Sequence, residues 1–538
     1  MKLSERSPVF GMGGMVATSQ PLATAAGLQI LKRGGSAADA AIAAAAALNV
    51  TEPGSTGLGG DAFALYYDCA SRTVFALNGS GRAPGELTLE RLRNESLGEN
   101  LPPRHAYNVT VPGAAAAWCD LLGRFGRLEL ADVLNPAIRL AVEGFPVAPI
   151  TAFHWQRSAE DVLNQALNGK ELTFNGRGPR AGEIFHNPGL GKTLHMLAEK
   201  GKRAFYEGQI AKSIVDITQE AGGCLSMQDL AQHESTWEQP LSIDYRGIRV
   251  WECPPNGQGL AALLALNVLE GYDLGSLPAL SPERLHLEIE AMRLAFADAR
   301  QYVADPRFSP APLDELLGKT YAAERRNLIQ PGQAQADVQH GSPFTSSDTV
   351  YLSVVDGDGN ACSFINSTYM SFGTGIVPRG WGFSLQNRGD NFSLQSDHPN
   401  ALAPGKRPYH TIIPAMATHA AEGTLYACFG VMGGYMQPQG HMQVLSALVD
   451  DNLDPQAALN RPRFCLQDDG TDGTVALEEG IHEDTVAALV KMGHKVETVS
   501  GMQRALFGRG QIILRNPDNG VLCGGSDPRA DGCAMTLA

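Results

Sequence analysis

Two short apolar runs separated by a polar turn give the clearest pattern along the chain. A polar, proline-containing segment leads into the apolar run Val350–Val355, and a cluster of Gly, Asp and Asn at Asp356–Asn360 separates it from a second run, Ala361–Ile365. Two β-rich runs around such a turn predict a β-hairpin. Thr349 stands at the start of the first predicted strand, directly behind Asp348.

The N-terminal region has the spacing of helices instead. A helix is predicted from Pro21 to the stop at Gly34-Gly35, with Leu22, Ala25, Ala26 and Ile30 on one face. Ser36 follows, and its hydroxyl can cap a second, alanine-rich helix. The side chains of this second helix are so small that we expect it to pack closely against another layer.

Further along, strands and helices are mixed rather than strictly alternating. Ala62–Leu77 predicts two strands, Trp237–Cys253 has the composition of strands, and Leu285–Ala304 has the pattern of a helix. Mixed runs of this kind agree with an α+β fold, because they lack strict βαβ alternation.

Composition narrows the class of protein. The chain has 538 residues, 43% of them hydrophobic and 18% charged, which suffices for a sizeable core. Length alone suggests two or more domains. The net charge of −15, without a basic stripe, argues against a nucleic-acid partner.

Targeting and redox signals are also informative. Met1–Ser19 has no apolar run of signal-peptide length, and Ala37–Val50 is too short and too polar to span a membrane. The sequence therefore predicts a cytoplasmic protein with no membrane partner. Nine cysteines without CxxC spacing favour reduced thiols over a disulfide framework.

Thr349 becomes chemically interesting if the chain is cut before it. A Thr hydroxyl is protonated at neutral pH and needs a base to act as a nucleophile. An N-terminal Thr supplies that base itself, because its α-amino group has an ordinary pKa of about 7.7–8.0. This chemistry requires cleavage of the bond between Asp348 and Thr349.

The strand that begins at Thr349 and continues through Ser353-Val354-Val355-Asp356 to Gly359-Asn360 resembles the γ-glutamyltransferase (glutathione hydrolase) family. In these N-terminal-nucleophile hydrolases a precursor, or zymogen, cleaves itself before such a Thr. Gly34–Ala40 and Gly54–Asp61 also resemble family signatures, and we interpret them as a helix-cap loop and a tight turn without a chemical role.

The resemblance implies a fold and a division of the chain. The expected fold is a four-layer αββα sandwich, two stacked sheets between helical layers. Residues 1–348 would form the large (α) subunit segment and 349–538 the small (β) subunit segment, interleaved in one globular body as a heterodimer. Whether two such heterodimers pair is left open.

The resemblance also implies roles in acyl transfer, which needs a nucleophile, a base and donors to the oxyanion. Thr349 would be the nucleophile, and Ser367 matches a family Thr that hydrogen-bonds it. The alternative for Ser367 is a solvated hydroxyl at a strand end. Gly433 and Gly434 match the pair whose backbone N–H groups form the oxyanion hole, where glycine lets the substrate approach the backbone.

The residues that would bind the acyl donor depart from the family pattern. The departures are Ser80 in place of an Arg, Tyr369 in place of an Asn, Arg388 in place of a Gln, Asn391 in place of an Asp with Asp390 adjacent, and His410-Thr411 in place of Ser-Ser. Arg82, two residues after Ser80, is a candidate substitute for the missing Arg. Arg388 and His410 would make the pocket more cationic and favour a carboxylate-bearing acyl group.

Three functions therefore compete. The first, favoured by the family as a whole, is a glutathione hydrolase/γ-glutamyltransferase that acts on γ-glutamyl compounds such as glutathione. The second is a related acylase on another carboxylate-bearing amide, of the glutaryl-cephalosporin or oxamate kind, and it is favoured by Ser80, Arg388, Asn391 and His410. The third, a non-catalytic relative, is disfavoured because Thr349, Ser367, Gly433 and Gly434 are all present.

No cofactor is expected, and no metal. His286 and Glu290 lie one helical turn apart, a spacing that metal sites use, but no second His nearby in the sequence completes a zinc set.

Overall fold

A computed structural model of the chain describes residues 6–335, 348–467 and 474–537. The helices, in chain order, are α1 (Pro21–Lys32), α2 (Ala37–Thr51), α3 (Leu89–Asn94), α4 (Ala114–Phe125), α5 (Leu130–Glu143), α6 (Pro149–Ser158), α7 (Pro188–Lys200), α8 (Arg203–Tyr206), α9 (Gln209–Glu220), α10 (Met227–Ala231), α11 (Gly259–Leu269), α12 (Pro282–Tyr302), α13 (Leu313–Leu316), α14 (Lys319–Arg326), α15 (Met436–Val449), α16 (Pro455–Asn460) and α17 (Glu483–Lys491).

The strands cover the rest of the regular structure. In chain order they are β1 (Val9–Gly11), β2 (Met15–Thr18), β3 (Asp61–Asp68), β4 (Thr73–Gly79), β5 (Phe145–Pro146), β6 (Ile184–Phe185), β7 (Thr236–Glu238), β8 (Leu241–Tyr245), β9 (Ile248–Glu252), β10 (Asp348–Val355), β11 (Ala361–Tyr369), β12 (Ala415–His419), β13 (Leu425–Met432), β14 (Phe464–Leu466), β15 (Thr474–Glu478), β16 (Lys495–Val499), β17 (Arg509–Arg515), β18 (Leu522–Ser526) and β19 (Cys533–Thr536).

Two seven-stranded sheets form the centre of the molecule. Sheet I has the strand order β1-β18-β17-β13-β12-β9-β8, and sheet II has the order β19-β2-β10-β11-β3-β4-β7. Neighbouring strands within both sheets are antiparallel. Each sheet draws strands from both sides of residue 348, so the two halves of the sequence share both sheets.

Three hydrophobic cores lie between four layers. The first joins sheet II to α1, α2, α4 and α5, the second lies between the sheets, and the third joins sheet I to α11, α12 and α15. Successive residues of a strand point to opposite faces, so on β11 Phe364 enters the first core and Ile365 the second. The predicted αββα sandwich is confirmed.

The locally predicted elements are confirmed as well. Pro21 opens α1, and the Ser36 hydroxyl accepts the backbone N–H of Asp39 in a capping box that starts α2. Every residue of α2 is buried, as its small side chains predict. The hairpin turn is held by the Asp356 carboxylate, whose Oδ1 accepts the backbone N–H of Asn360 at 3.0 Å.

Helix length and polarity bear on membrane association. Across the described ranges, no helix is both long and apolar enough to cross a bilayer.

Candidate active site

Thr349 lies in the space between the two sheets, at the N-terminal end of β10. Side chains at alternate positions of this strand share a face, and Tyr351 on that face enters the inter-sheet core. Ser353, on the same face, donates its hydroxyl to the carbonyl of Cys428 in sheet I at 3.1 Å. Thr349 is completely buried. Its hydroxyl therefore faces the opposite sheet rather than solvent.

A β-bulge brings Ser367 to Thr349. Asp348 pairs with Tyr369 and Val350 with Asn366, so both Ser367 and Thr368 oppose the single residue Thr349. Bulges re-aim side chains and are frequent beside active sites. Here the Thr349 hydroxyl donates to Ser367 Oγ at 3.2 Å. Ser367 is fully buried, so its alternative as a solvated hydroxyl is wrong.

The Ser367 hydroxyl oxygen is an acceptor for several donors. Besides Thr349, the backbone N–H of Tyr369 donates to it at 2.8 Å and Arg388 Nη2 at 3.3 Å. A hydroxyl oxygen carries two lone pairs, so these three donors share them. The Ser367 oxygen is thus held as the acceptor of the Thr349 hydrogen bond, beside the positively charged Arg388.

The paired glycines lie level with Thr349 in the opposite sheet. Along β13, Cys428 meets Ser353, and Gly430 packs so tightly on the Tyr351 ring that a Cβ there would come within 2.6 Å of it. If this register continues by two residues along each strand, Met432 and the glycine pair are expected to lie opposite Thr349.

Gly433 and Gly434 have backbone conformations that suit an anion-binding turn. Their φ angles are +132° and +59°, in the region that favours glycine. The carbonyls of Gly433 and Gly434 accept the N–H groups of Met436 and Gln437, so the pair directly precedes the first turn of α15. Among the described residues, Gly433 and Gly434 make hydrogen bonds only through their carbonyl oxygens. Their two backbone N–H groups, at the N-terminus of a helix, are therefore available to bind an anionic ligand.

Arg388 is the positive charge of the site. It lies in a 3₁₀ turn, Arg388–Asn391, and is completely buried. Its Nη1 donates to Thr411 Oγ1 at 2.7 Å, and its guanidinium carbon lies 4.4 Å from the centre of the Tyr369 ring. Burial lowers the pKa of this guanidinium to about 10, which leaves it charged at neutral pH.

Asp61 balances that charge and was not expected to take part. It is the first residue of β3, pairs with Ser367 across the sheet, and is completely buried. Its Oδ1 accepts the backbone N–H groups of Gly81 and Gly113, and its Oδ2 accepts His410 Nε2, each at 3.0 Å. Burial by itself raises the pKa of this carboxyl, but the His410 hydrogen bond and the Arg388 charge lower it below its usual value.

His410 is neutral in this setting. Burial, followed by the nearby Arg388 charge, lowers the pKa of its imidazole to about 3. Its Nδ1 accepts the backbone N–H of Ile412 at 3.4 Å, so the proton is on Nε2 and is donated to Asp61. His410 therefore supplies no positive charge to the pocket, contrary to the expectation from sequence, and the cationic character comes from Arg388.

Three buried donors around Arg388 have no hydrogen-bond partner among the residues that the structure describes: Arg388 Nε, the Asn391 side-chain amide nitrogen and the Tyr369 hydroxyl. Buried polar groups are normally paired, so such a group in a site points to a ligand. All three can donate, which suits an acceptor-rich group such as a carboxylate. Asp390 is adjacent, and burial raises the pKa of its carboxyl to about 6.

Arg82 lies apart from this group of donors. Its Nη1 is 3.6 Å from the Asp305 carboxylate, and its side chain is 20% exposed. Burial, followed by the charge of Arg407, lowers the pKa of Arg82 to about 10. The Ser80 hydroxyl donates to Asn78 Oδ1 at 2.7 Å instead of facing the donors. A role for Arg82 in substrate binding stays a prediction, as does cleavage at Asp348, of which the structure describes only the backbone position.

Gln258 connects the two halves of the site and gave no signal in the sequence beyond its place in a Pro-Pro-Asn-Gly-Gln-Gly segment. Its Nε2 donates to the carbonyls of Thr411 at 2.6 Å and Gly434 at 2.9 Å. Thr349, Ser367, Arg388, Thr411 and Gly434 are thus joined by one continuous series of contacts. Thr349 and the glycine turn are therefore held by the same series of contacts.

Two stacked antiparallel sheets between helical layers, with a buried strand-initial Thr facing a glycine turn, define an amidohydrolase of the N-terminal-nucleophile type. Comparison with known proteins agrees. The Gamma-glutamyltranspeptidase family matches residues 23–537, and the chain belongs to this family.

The similar proteins span several activities. The chain is 38% identical to the "Glutathione hydrolase-like YwrD proenzyme" of Bacillus subtilis (strain 168), covering 98% of this chain and 99% of that protein. It is 34% identical to the "Acylase ACY 1 proenzyme" of Pseudomonas sp. (strain SE83), covering 99% and 95%. The crystal structure of cephalosporin acylase from Bacillus halodurans has a TM-score of 0.93 and 46% identity, covering 100% and 98%.

Proposed function

We propose that this protein is a self-processing amide hydrolase that uses Thr349, freed as an N-terminus, to form an acyl-enzyme with a carboxylate-bearing acyl group. The proposal includes cleavage of the Asp348–Thr349 bond, which gives a heterodimer of residues 1–348 and 349–538. The proenzyme names of the relatives support this step. So does the burial of Thr349 beside a fixed acceptor, Ser367.

The mechanism begins with the freed α-amine of Thr349. This amine takes the proton of its own hydroxyl as Oγ attacks the amide carbonyl. The carbonyl oxygen becomes an oxyanion, which the N–H groups of Gly433 and Gly434 stabilise by about 3–4 kcal/mol per donor. The ammonium then protonates the leaving amine as the C–N bond breaks. Water, deprotonated by the same amine, cleaves the ester and releases the acid.

The observation that carries the acyl specificity is a group of buried donors around Arg388, which contacts the hydrogen-bond partner of Thr349, Ser367. Arg388 Nε, the Asn391 amide nitrogen and the Tyr369 hydroxyl all lack partners within the described structure, and Arg388 also contacts Ser367. A carboxylate accepts hydrogen bonds from all of these groups and is attracted by the Arg388 guanidinium. We therefore favour an acyl group with a distal carboxylate and no amine, as in a glutaryl amide or a small dicarboxylic monoamide.

A γ-glutamyl donor such as glutathione is the second candidate. Its α-ammonium needs an acidic partner. Asp61 is already engaged by four donors, and Asn391 cannot supply a negative charge. Asp390 is the remaining carboxyl of the 3₁₀ turn, and it is partly protonated near pH 6 because burial raises its pKa. The similarity to a glutathione hydrolase-like proenzyme supports this second candidate.

The first experiment is mass spectrometry of the purified protein, followed by hydrolysis assays on matched amides. Cleavage before Thr349 predicts two fragments, one of them with an N-terminal Thr. A glutaryl anilide, a γ-glutamyl anilide and a butyryl anilide differ in having a carboxylate alone, a carboxylate with an amine, and neither. We expect the order of kcat/KM to be glutaryl, γ-glutamyl, butyryl.

Two results would count against the proposal. Full activity in a protein whose Asp348–Thr349 bond is intact would remove the mechanism. If the butyryl amide were hydrolysed as fast as the glutaryl amide, the carboxylate specificity would be wrong while the mechanism would stand.

A further inference from the structure

A second cluster of chemically active side chains lies outside the catalytic network. His286 and Glu290, one turn apart on α12, meet His494, which lies between α17 and β16. All three are buried, with at most 3% of each residue exposed. One ligand atom from each, two imidazole nitrogens and a carboxylate oxygen, lies within 4.8 Å of the others. The sequence around α12 has no second His, and His494, more than 200 residues further along the chain, supplies it.

Two hydrogen bonds determine which ring nitrogen of His286 carries the proton. Its Nε2 lies 2.9 Å from the backbone carbonyl of Gln330, which can only accept, so the proton is on Nε2. The Nδ1 lone pair therefore faces His494 Nε2, 2.9 Å away. A His whose outer N–H is held by a carbonyl while its other nitrogen faces a cluster is the usual arrangement of a metal ligand.

His494 and Glu290 each have one buried polar atom that makes no hydrogen bond in the described structure. His494 Nδ1 is buried and has no hydrogen-bond partner in the part of the chain that the structure describes. It can take the proton that His494 Nε2 would release on binding a metal. Glu290 Oε2 accepts the N–H of Gln335 at 3.0 Å, whereas Oε1 accepts no hydrogen bond there and only pairs with Arg293 Nε at 3.3 Å.

We propose that His286 Nδ1, His494 Nε2 and a Glu290 carboxylate oxygen form a zinc site. Two imidazoles and one carboxylate are a ligand set that Zn²⁺ uses, with bonds of about 2.0–2.2 Å and a water in the fourth position. Tetrahedral ligands at that bond length lie about 3.3–3.6 Å apart. The two nitrogens therefore separate slightly, the carboxylate approaches, and Arg293 moves from Glu290 Oε1.

The site would be separate from the candidate active site. Its residues share no hydrogen bond or ion pair with Thr349, Ser367 or Gly434 in the described ranges, and its neighbours Gln330 and Gln335 belong to the segment after α14. The backbone N–H of Ala334 also donates to the carbonyl of Met492, two residues before His494. A bound ion would fasten this segment to α12 and to the loop before β16.

Metal binding by the tag-free, full-length protein tests the inference. The protein is stripped with a chelator and dialysed, then titrated with Zn²⁺ in competition with a chromogenic chelator, and bound metal is counted after gel filtration. We expect one Zn²⁺ per chain, a rise in Tm, and at least a tenfold weaker affinity in Glu290→Gln and His494→Gln. His195→Gln is the matched control, because His195 is an exposed histidine on α7.

Co²⁺ gives an independent readout that does not depend on the variants folding equally well. Replacement of Zn²⁺ by Co²⁺ in the unaltered chain should give the visible absorption of a tetrahedral site, and stoichiometric Zn²⁺ should abolish it. Absence of stoichiometric binding to the unaltered chain overturns the inference. So does binding that persists unchanged in both variants, or a Co²⁺ spectrum with only octahedral character.

Discussion

The proposed nucleophile region and the proposed acyl-binding region are in contact but are built differently. Around Thr349, Ser367 and the glycine pair, the structure uses backbone geometry, a bulge and a positive-φ turn. Around Arg388 and His410 it uses charged or hydrogen-bonding side chains.

The comparison shows why one region can change while the other stays. The attack on an amide and the stabilisation of its oxyanion are the same for every acyl group, so the groups that perform them are fixed by the reaction. The remote end of the acyl group varies, and the side chains that meet it sit on a 3₁₀ turn and a loop. Ser367 joins the two regions, since it contacts both Thr349 and Arg388.

The largest effect is expected from Thr349→Ala. Without the hydroxyl there is neither cleavage nor an acyl-enzyme, so the chain should stay as one piece and lose at least about 10⁴-fold in kcat/KM. Gel electrophoresis and the anilide assay measure the two effects. Thr368→Ala is the matched control, because Thr368 shares the bulge but donates to the Met370 carbonyl. A processed, active Thr349→Ala protein would refute the role of Thr349.

Arg388→Gln should act on the proposed acyl-binding region. Loss of a charge-assisted hydrogen bond costs about 1.5–3 kcal/mol, so KM for the glutaryl amide should rise about 10- to 100-fold with a smaller change for the butyryl amide. Kinetics on both amides measure this. Arg379→Gln is the control, since Arg379 is an exposed partner of Glu220. An equal loss on both amides would show that Arg388 serves the nucleophile instead.

His410→Gln should change how stability depends on pH. An unfolded His takes up its proton near pH 6.5, whereas folded His410 has a pKa of about 3. Between these values the unfolded state binds more protons, so acidification lowers the free energy of unfolding, by at most about 1.4 kcal/mol per pH unit for one group. Gln can still donate to Asp61 but does not titrate.

Denaturant unfolding between pH 7 and pH 4.5 measures that slope. The slope should be shallower in His410→Gln than in the unaltered protein, and unchanged in the exposed control His195→Gln. An identical slope in His410→Gln would mean that His410 titrates normally in the folded state.

Arg82→Gln should have the smallest effect. Asp305 already neutralises part of this charge at 3.6 Å, and the side chain is partly exposed, so a contribution of about 0.2–1 kcal/mol is expected. KM for the glutaryl amide should then rise by no more than about fivefold. A rise of the size expected for Arg388→Gln would make Arg82 the main carboxylate ligand. No change at all would exclude it from the pocket.

The sequence by itself determined the parts of this protein that depend on neighbours in the chain. The hairpin with Thr349 at its start, the Ser36 cap, the small-sided helix α2 and the glycine pair before α15 all follow from local propensity and spacing. The resemblance to the family extended these local signals to the four-layer fold, because its motifs run along most of the chain.

Only the tertiary structure decided which distant residues meet. Pairing of β3 with β11 sets Asp61 against Ser367, and packing between the sheets sets Gly430 against the Tyr351 ring, two residues from Thr349. Burial then leaves Arg388 charged but keeps His410 neutral, which residue type alone does not reveal. Spacing along a chain fixes periodicity within an element, whereas proximity between elements and loss of water arise only when the layers close.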